Sequence, residues 1–145
     1  MNARHRASVR RGYTLVEIMV VVSIIGVLLA VASPNLVRQA QRARENALRS
    51  NLMIVRTAVI TFMQDTGAFP NSLADLTAVT APANGTTPGT GASLPIIAAD
   101  WRGPYLAAVP IDPISNTAMT YTPATGTVRS SATGNDTGGI AFSTY

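Results

Sequence analysis

Residues 15–32 form an apolar run in which only Glu17 and Ser23 are strongly polar. A helix needs about twenty apolar residues to cross a bilayer, and this run is close to that length. One ionisable group, Glu17, lies inside its N-terminal end. A carboxylate facing hydrocarbon costs roughly 2.5–3.5 kcal/mol even on lenient insertion scales, so its presence needs a reason. Arg4, Arg6, Arg10 and Arg11 precede the run, and a basic flank of this kind stays on the cytoplasmic side.

Two processing patterns fit such a start. A secretory signal peptide is cut after its apolar segment at a small-x-small site, and Ala30-Val31-Ala32-Ser33 imitates one. The other cut falls before the run, after Gly12, where the missing Cβ lets a protease approach the backbone. Residues 1–12 then leave, and Tyr13 carries a new α-amine one helical turn from Glu17. Amine and carboxylate can neutralise each other within a chain or between staggered neighbours, which accounts for the tolerated charge.

Gly12-Tyr13-Thr14-Leu15-Val16-Glu17, followed by Ile18-Met19-Val20-Val21-Val22, resembles the class III signal of type IV pilins and type II secretion pseudopilins. The resemblance implies that a prepilin peptidase cuts after Gly12 and N-methylates Tyr13, where the family usually has Phe. It implies polymerisation through the N-terminal helix, with Glu17 as the assembly residue. The partners implied are further copies of the chain or minor pseudopilins, an inner-membrane assembly platform and the inner membrane itself. The subunit would span that membrane once, its C-terminal domain outside the cytoplasm, before joining a periplasmic or cell-surface filament.

The expected layout is a leader at 1–12, a transmembrane and assembly helix at 13–34, and a globular pilin domain at 35–145. The chain has 145 residues and no cysteine, which excludes a disulfide framework and thiolate metal sites. All its basic residues are arginine, and its single histidine, His5, is in the leader. Without the leader, seven arginines face seven acids. The basic pI therefore belongs to the leader and implies no nucleic acid. No paired carboxylates, phosphate loop or metal cluster nominates an active site.

The first helix is expected over residues 14–66, on the order of 80 Å at 1.5 Å per residue. Gly26 and Pro34 interrupt its apolar half, and Pro34 removes a backbone hydrogen bond, so a kink or loosened turn is expected there. From Leu36 the pattern turns amphipathic. Leu36, Val37, Ala40, Ala43, Ala47, Leu48, Leu52, Val55, Ala58, Val59 and Phe62 recur at three- and four-residue steps and share one face. Arg38, Arg42, Arg49 and Arg56 fall opposite, as a solvated face, with Glu45 placed to pair with Arg49. Gly67 stops the helix.

A short second helix is expected at 72–78, opened by Ser72 and Asp75 in capping-box spacing. Residues 81–93 read as a loop, and 119–122, 126–130 and 139–144 as strands. The fold class is α+β: a long bipartite N-terminal helix packed against a small antiparallel sheet.

The stretches Asp65-Thr66-Gly67-Ala68-Phe69-Pro70, Trp101-Arg102-Gly103-Pro104-Tyr105-Leu106 and Pro110-Ile111-Asp112-Pro113 are similar to the major pseudopilins of type II secretion. Those carry an acidic C-terminal loop that holds calcium. The matching region offers Asp112, Ser115, Asn116, Asn135 and Asp136, of which Asp112, Asn116 and Asp136 are the candidate ligands. Calcium wants six to eight oxygens, and the family's acidic tail after Gly138-Gly139 is absent, so Asx-turn formation competes as their role. Asn84-Gly85-Thr86 and Asn135-Asp136-Thr137 match the N-glycosylation sequon.

The function expected is a structural subunit of a type II secretion pseudopilus. The alternative is a type IV pilus pilin serving adhesion, motility or DNA uptake, and below it a membrane-tethered periplasmic binding or enzymatic module.

Overall fold

The computed structural model describes residues 12–145, and within them the backbone but not the side chains of residues 31–34. Most of the expected leader, residues 1–11, lies outside the described residues. The chain divides into two compact units, one ending at Gln39 and the other running Ala40–Tyr145.

Helix α1 spans Leu15–Thr66 and is unbroken as helix through Gly26 and Pro34. Thr14 caps it: its hydroxyl accepts the Glu17 N–H at 3.2 Å, and its carbonyl accepts the Ile18 N–H at 3.3 Å. In the first unit every described side chain from Leu15 to Ala30 is exposed. An all-round apolar helix has no face reserved for its own domain. Among the described residues α1 is the one helix long and apolar enough to cross a membrane, by length and composition.

In the second unit, α1 supplies Leu48, Leu52, Val55, Ala58, Val59 and Phe62 to the core, all buried. Each of these side chains other than that of Ala58 contributes about 1.5–3 kcal/mol of burial. Leu76, Met119, Val128, Ala132 and Phe142 close over them. The covered face starts later than its periodicity suggests, because Leu36, Val37, Ala43 and Ala47 are exposed. At the far end Gly67 takes φ +72° and donates its N–H to the Met63 carbonyl at 2.9 Å. That is the left-handed helix stop expected of a glycine.

The second helix proves to be a short 3₁₀ helix, Leu73–Thr77, whose Asp75 carboxylate accepts the Ser72 N–H at 2.9 Å. The expected single sheet is instead two antiparallel hairpins. Strand β1, Asn84–Thr86, pairs with β2, Ser93–Pro95, and β3, Thr120–Thr122, pairs with β4, Thr127–Arg129. The first hairpin lies mostly inside the expected loop at 81–93. It forms because Thr86 finds a partner beyond its own hairpin, exchanging both backbone hydrogen bonds with Phe69 at 2.7 and 2.8 Å. The second turns at Gly126, φ +64°, which lies against the Phe69 ring, where a Cβ would not fit.

The strand expected at 139–144 is absent. A 3₁₀ turn, Phe142–Thr144, and one isolated bridge, Asn135 to Ala141, stand in its place. The Asp136 carboxylate takes the Gly138 and Ile140 N–H groups at 2.8 Å each, and a side chain that captures local N–H donors competes with a ladder. Between the hairpins, Trp101 and Tyr105 hold the proline-rich connector on the core. Tyr105 stands 5.4 Å from Phe62 and 6.3 Å from Trp101 between ring centroids, and its hydroxyl donates to Asp65 at 2.9 Å.

Candidate functional site

Gly12, Tyr13 and Thr14 are exposed and precede the helix, so the Gly12–Tyr13 peptide bond lies in open chain. The Thr14 cap fixes where the helix begins and sets Glu17 in its first turn. Helix N-termini favour negative charge, which suits a carboxylate there. The two polar residues of the apolar run are treated differently. Ser23 donates its hydroxyl to the Met19 carbonyl at 2.7 Å, so its polarity is met within the helix. Glu17 is exposed, and among the described residues its carboxylate has no hydrogen-bond or ion-pair partner. Among the described side chains of this segment it is the polar group left without a partner.

In the second unit, Asp112 and Asn116 come together as a turn. Asn116 sits at φ +56° and donates its N–H to the Asp112 carbonyl at 2.8 Å. The Asp112 carboxylate is buried and accepts Ile114 N–H at 2.8 Å, Ser115 N–H at 3.3 Å, Ser130 Oγ at 2.5 Å and Ser131 N–H at 3.0 Å. Burial pushes this carboxyl up, but the hydrogen bonds from Ser130, Ile114, Ser115 and Ser131 outweigh it and hold it below the usual range.

Asp136 shares none of these partners. Its Oδ1 accepts the two loop N–H groups, and its Oδ2 accepts Arg49 Nη2 at 2.8 Å and the Tyr145 hydroxyl at 2.5 Å. The Tyr145 hydroxyl, then the Ile140 N–H, hold this carboxyl low against the effect of burial. Both carboxylates thus face protein donors on both oxygens. Among the described residues no group of three or more acids, histidines or cysteines converges on a metal position. The candidate ligands as arranged do not fit a calcium ion.

Three residues read from the sequence as surface charge have other work here. Glu45 is buried and accepts Thr137 N–H at 2.9 Å and Thr137 Oγ1 at 2.7 Å, instead of pairing with Arg49. Arg56 donates Nε and Nη2 to the Val128 carbonyl at 3.0 and 2.8 Å. Arg49 makes the single salt bridge among the described residues. The periodicity set Arg49 and Arg56 opposite the apolar face with Glu45 beside them, and nothing local in the sequence shows that the three meet other segments. Asn51, set among apolar positions, donates to the Ile111 carbonyl at 3.3 Å.

The family described as the prokaryotic N-terminal methylation motif matches residues 8–33. The chain is 32% identical to type II secretion system core protein G of Escherichia coli over 109 residues, which is 74% of this chain and 68% of that protein. The protein of the same name in Pseudomonas aeruginosa is 29% identical over 115 residues, 79% of this chain and 75% of that protein. Type IV major pilin protein PilA of Myxococcus xanthus is 40% identical over 55 residues, 38% of this chain. The chain spans 25% of that pilin's length. No solved structure matches the chain.

Proposed function

Because the chain belongs to the superfamily of type IV pilins and type II secretion pseudopilins, we propose that it is a structural subunit of a type II secretion pseudopilus. As a member of that superfamily it is a filament subunit and not an enzyme, and its methylation motif and apolar helix suit membrane anchoring before assembly. The extent of the likeness carries the choice of pseudopilus. The core protein G alignments from E. coli and P. aeruginosa reach across 74% and 79% of the chain, whereas the M. xanthus pilin alignment covers 38%.

In this reading the arginine-rich leader stays cytoplasmic, a prepilin peptidase cuts after Gly12, and Tyr13 becomes an N-methylated amine. The domain from about residue 35 faces away from the cytoplasm, and Pro34 loosens the helix where it leaves the membrane. Glu17, whose carboxylate has no partner among the described residues, meets the Tyr13 amine of the next copy. An unpaired charge among packed apolar helices is expensive, so pairing favours association and fixes the axial stagger. Copies of this chain, minor subunits and an inner-membrane assembly platform are the partners.

Deletion of the gene in its own host tests the assignment. Secreted proteins should disappear from the medium while surface pili remain. Complementation with Glu17→Gln should restore a processed, membrane-inserted subunit, with Tyr13 methylated by mass spectrometry, but not secretion. Loss of surface pili with secretion intact would place the chain in a pilus instead.

A further inference from the structure

The loop over residues 134–142 is closed by its own backbone and by Asp136. Asp136 donates its N–H to the Ile140 carbonyl at 2.8 Å, Gly139 donates to the Asp136 carbonyl at 3.0 Å, and Phe142 donates to the Gly134 carbonyl at 3.0 Å. Helix α1 reaches this loop with two side chains one turn apart. Glu45 receives both donors of Thr137. Arg49 donates Nη2 to Asp136 Oδ2 at 2.8 Å and to the Tyr145 hydroxyl at 2.6 Å, with its guanidinium carbon 5.0 Å from the Tyr145 ring centroid. The Asp136 side chain is 2% exposed and that of Arg49 48%. A buried carboxylate needs a positive partner or full hydrogen bonding, and here a helix residue supplies the positive charge that a bound cation supplies elsewhere.

We propose that Arg49 takes the place of a cation in this loop, so that the fold around residues 134–142 is locked on α1 without calcium. The carboxylate oxygens that would face a metal are already committed to N–H and O–H donors, and a cation entering there would meet the guanidinium. Stacking of a planar guanidinium on the Tyr145 ring is a property of arginine that lysine lacks. The inference uses the superfamily membership and the loop geometry, and is the same whether the filament is a pseudopilus or a pilus.

The test uses the full processed chain in detergent micelles. Its thermal midpoint is followed by near-ultraviolet circular dichroism in millimolar calcium chloride and again in EGTA. Wild type should show one midpoint in both. Arg49→Met should lower the midpoint by several degrees and accelerate deuterium exchange in residues 136–142 more than in the rest of the domain, with Arg49→Lys intermediate. A wild-type midpoint that rises with calcium chloride and falls back with EGTA would overturn the proposal, and this arm stands even if the Met variant fails to fold. An Arg49→Met protein with unchanged midpoint and unchanged exchange would overturn it as well.

Discussion

Asp112 shows how one buried side chain can hold two segments of a domain together. Its oxygens gather donors from residues 114 and 115 on one side and 130 and 131 on the other, and so tie the connector to the end of β4. Asp112→Asn keeps the shape but replaces an acceptor oxygen with an NH₂ group facing donors. A buried donor left unmatched costs about 1–3 kcal/mol, and a loss of that size is expected in urea unfolding at pH 7. Because folding depresses the Asp112 carboxyl below its ordinary value, its contribution is complete above the unfolded-state pKa of about 3.9 and is lost as pH falls through the folded value. The gap between wild type and Asp112→Asn should therefore close as pH drops below about 4. Asp136 and Glu45, also held low, should add to the fall in wild-type stability over the same acid range. Asp112 stood out in the sequence as an oxygen donor. Its Ile114 and Ser115 N–H donors form the local turn such a residue makes, but the Ser130 hydroxyl and the Ser131 N–H come from a separate segment and had no local signature.

Among the elements, α1 is set most firmly by its ends. Thr14 opens it and Gly67 closes it at φ +72°. Nothing lies within 4 Å of a Cβ placed on Gly67, so a substitution there tests backbone conformation without crowding. An L-residue forced into the left-handed region loses roughly 1–2 kcal/mol. Gly67→Ala should lower unfolding stability by about 1 kcal/mol, and Gly67→Asn by less, because Asn tolerates that region. Equal losses from both variants, measured by chemical denaturation, would mean that the helix end is held by something other than glycine's freedom. The Gly67 end of α1 and the strands β3 and β4 were readable because a glycine stop and strand patterning act over a few residues. The first hairpin was not, because Thr86 is held by Phe69 from outside it. Residues 139–144 alternate acceptably for a strand, yet Asp136 removes the N–H groups a ladder would use.

The two units of the molecule behave differently toward water. Ala40–Tyr145 encloses its own core, whereas residues 15–30 expose every side chain. A fragment beginning at Asn35 should therefore be soluble, folded and monomeric, with the helical and β signals of the whole domain in circular dichroism. An unfolded spectrum would show that the core needs the apolar helix to form. By itself the sequence determined the processing-type motif, the apolar first half of α1, the existence but not the start of a packed face ending at Phe62, and the α+β class, because each rests on periodicity or on chemistry within one turn. Tertiary structure alone decided that Arg49 meets Asp136 across 87 residues and Glu45 meets Thr137 across 92. A charged side chain at the edge of a helix face is equally at home in solvent or against a partner, and which it finds depends on what the folded chain carries past it.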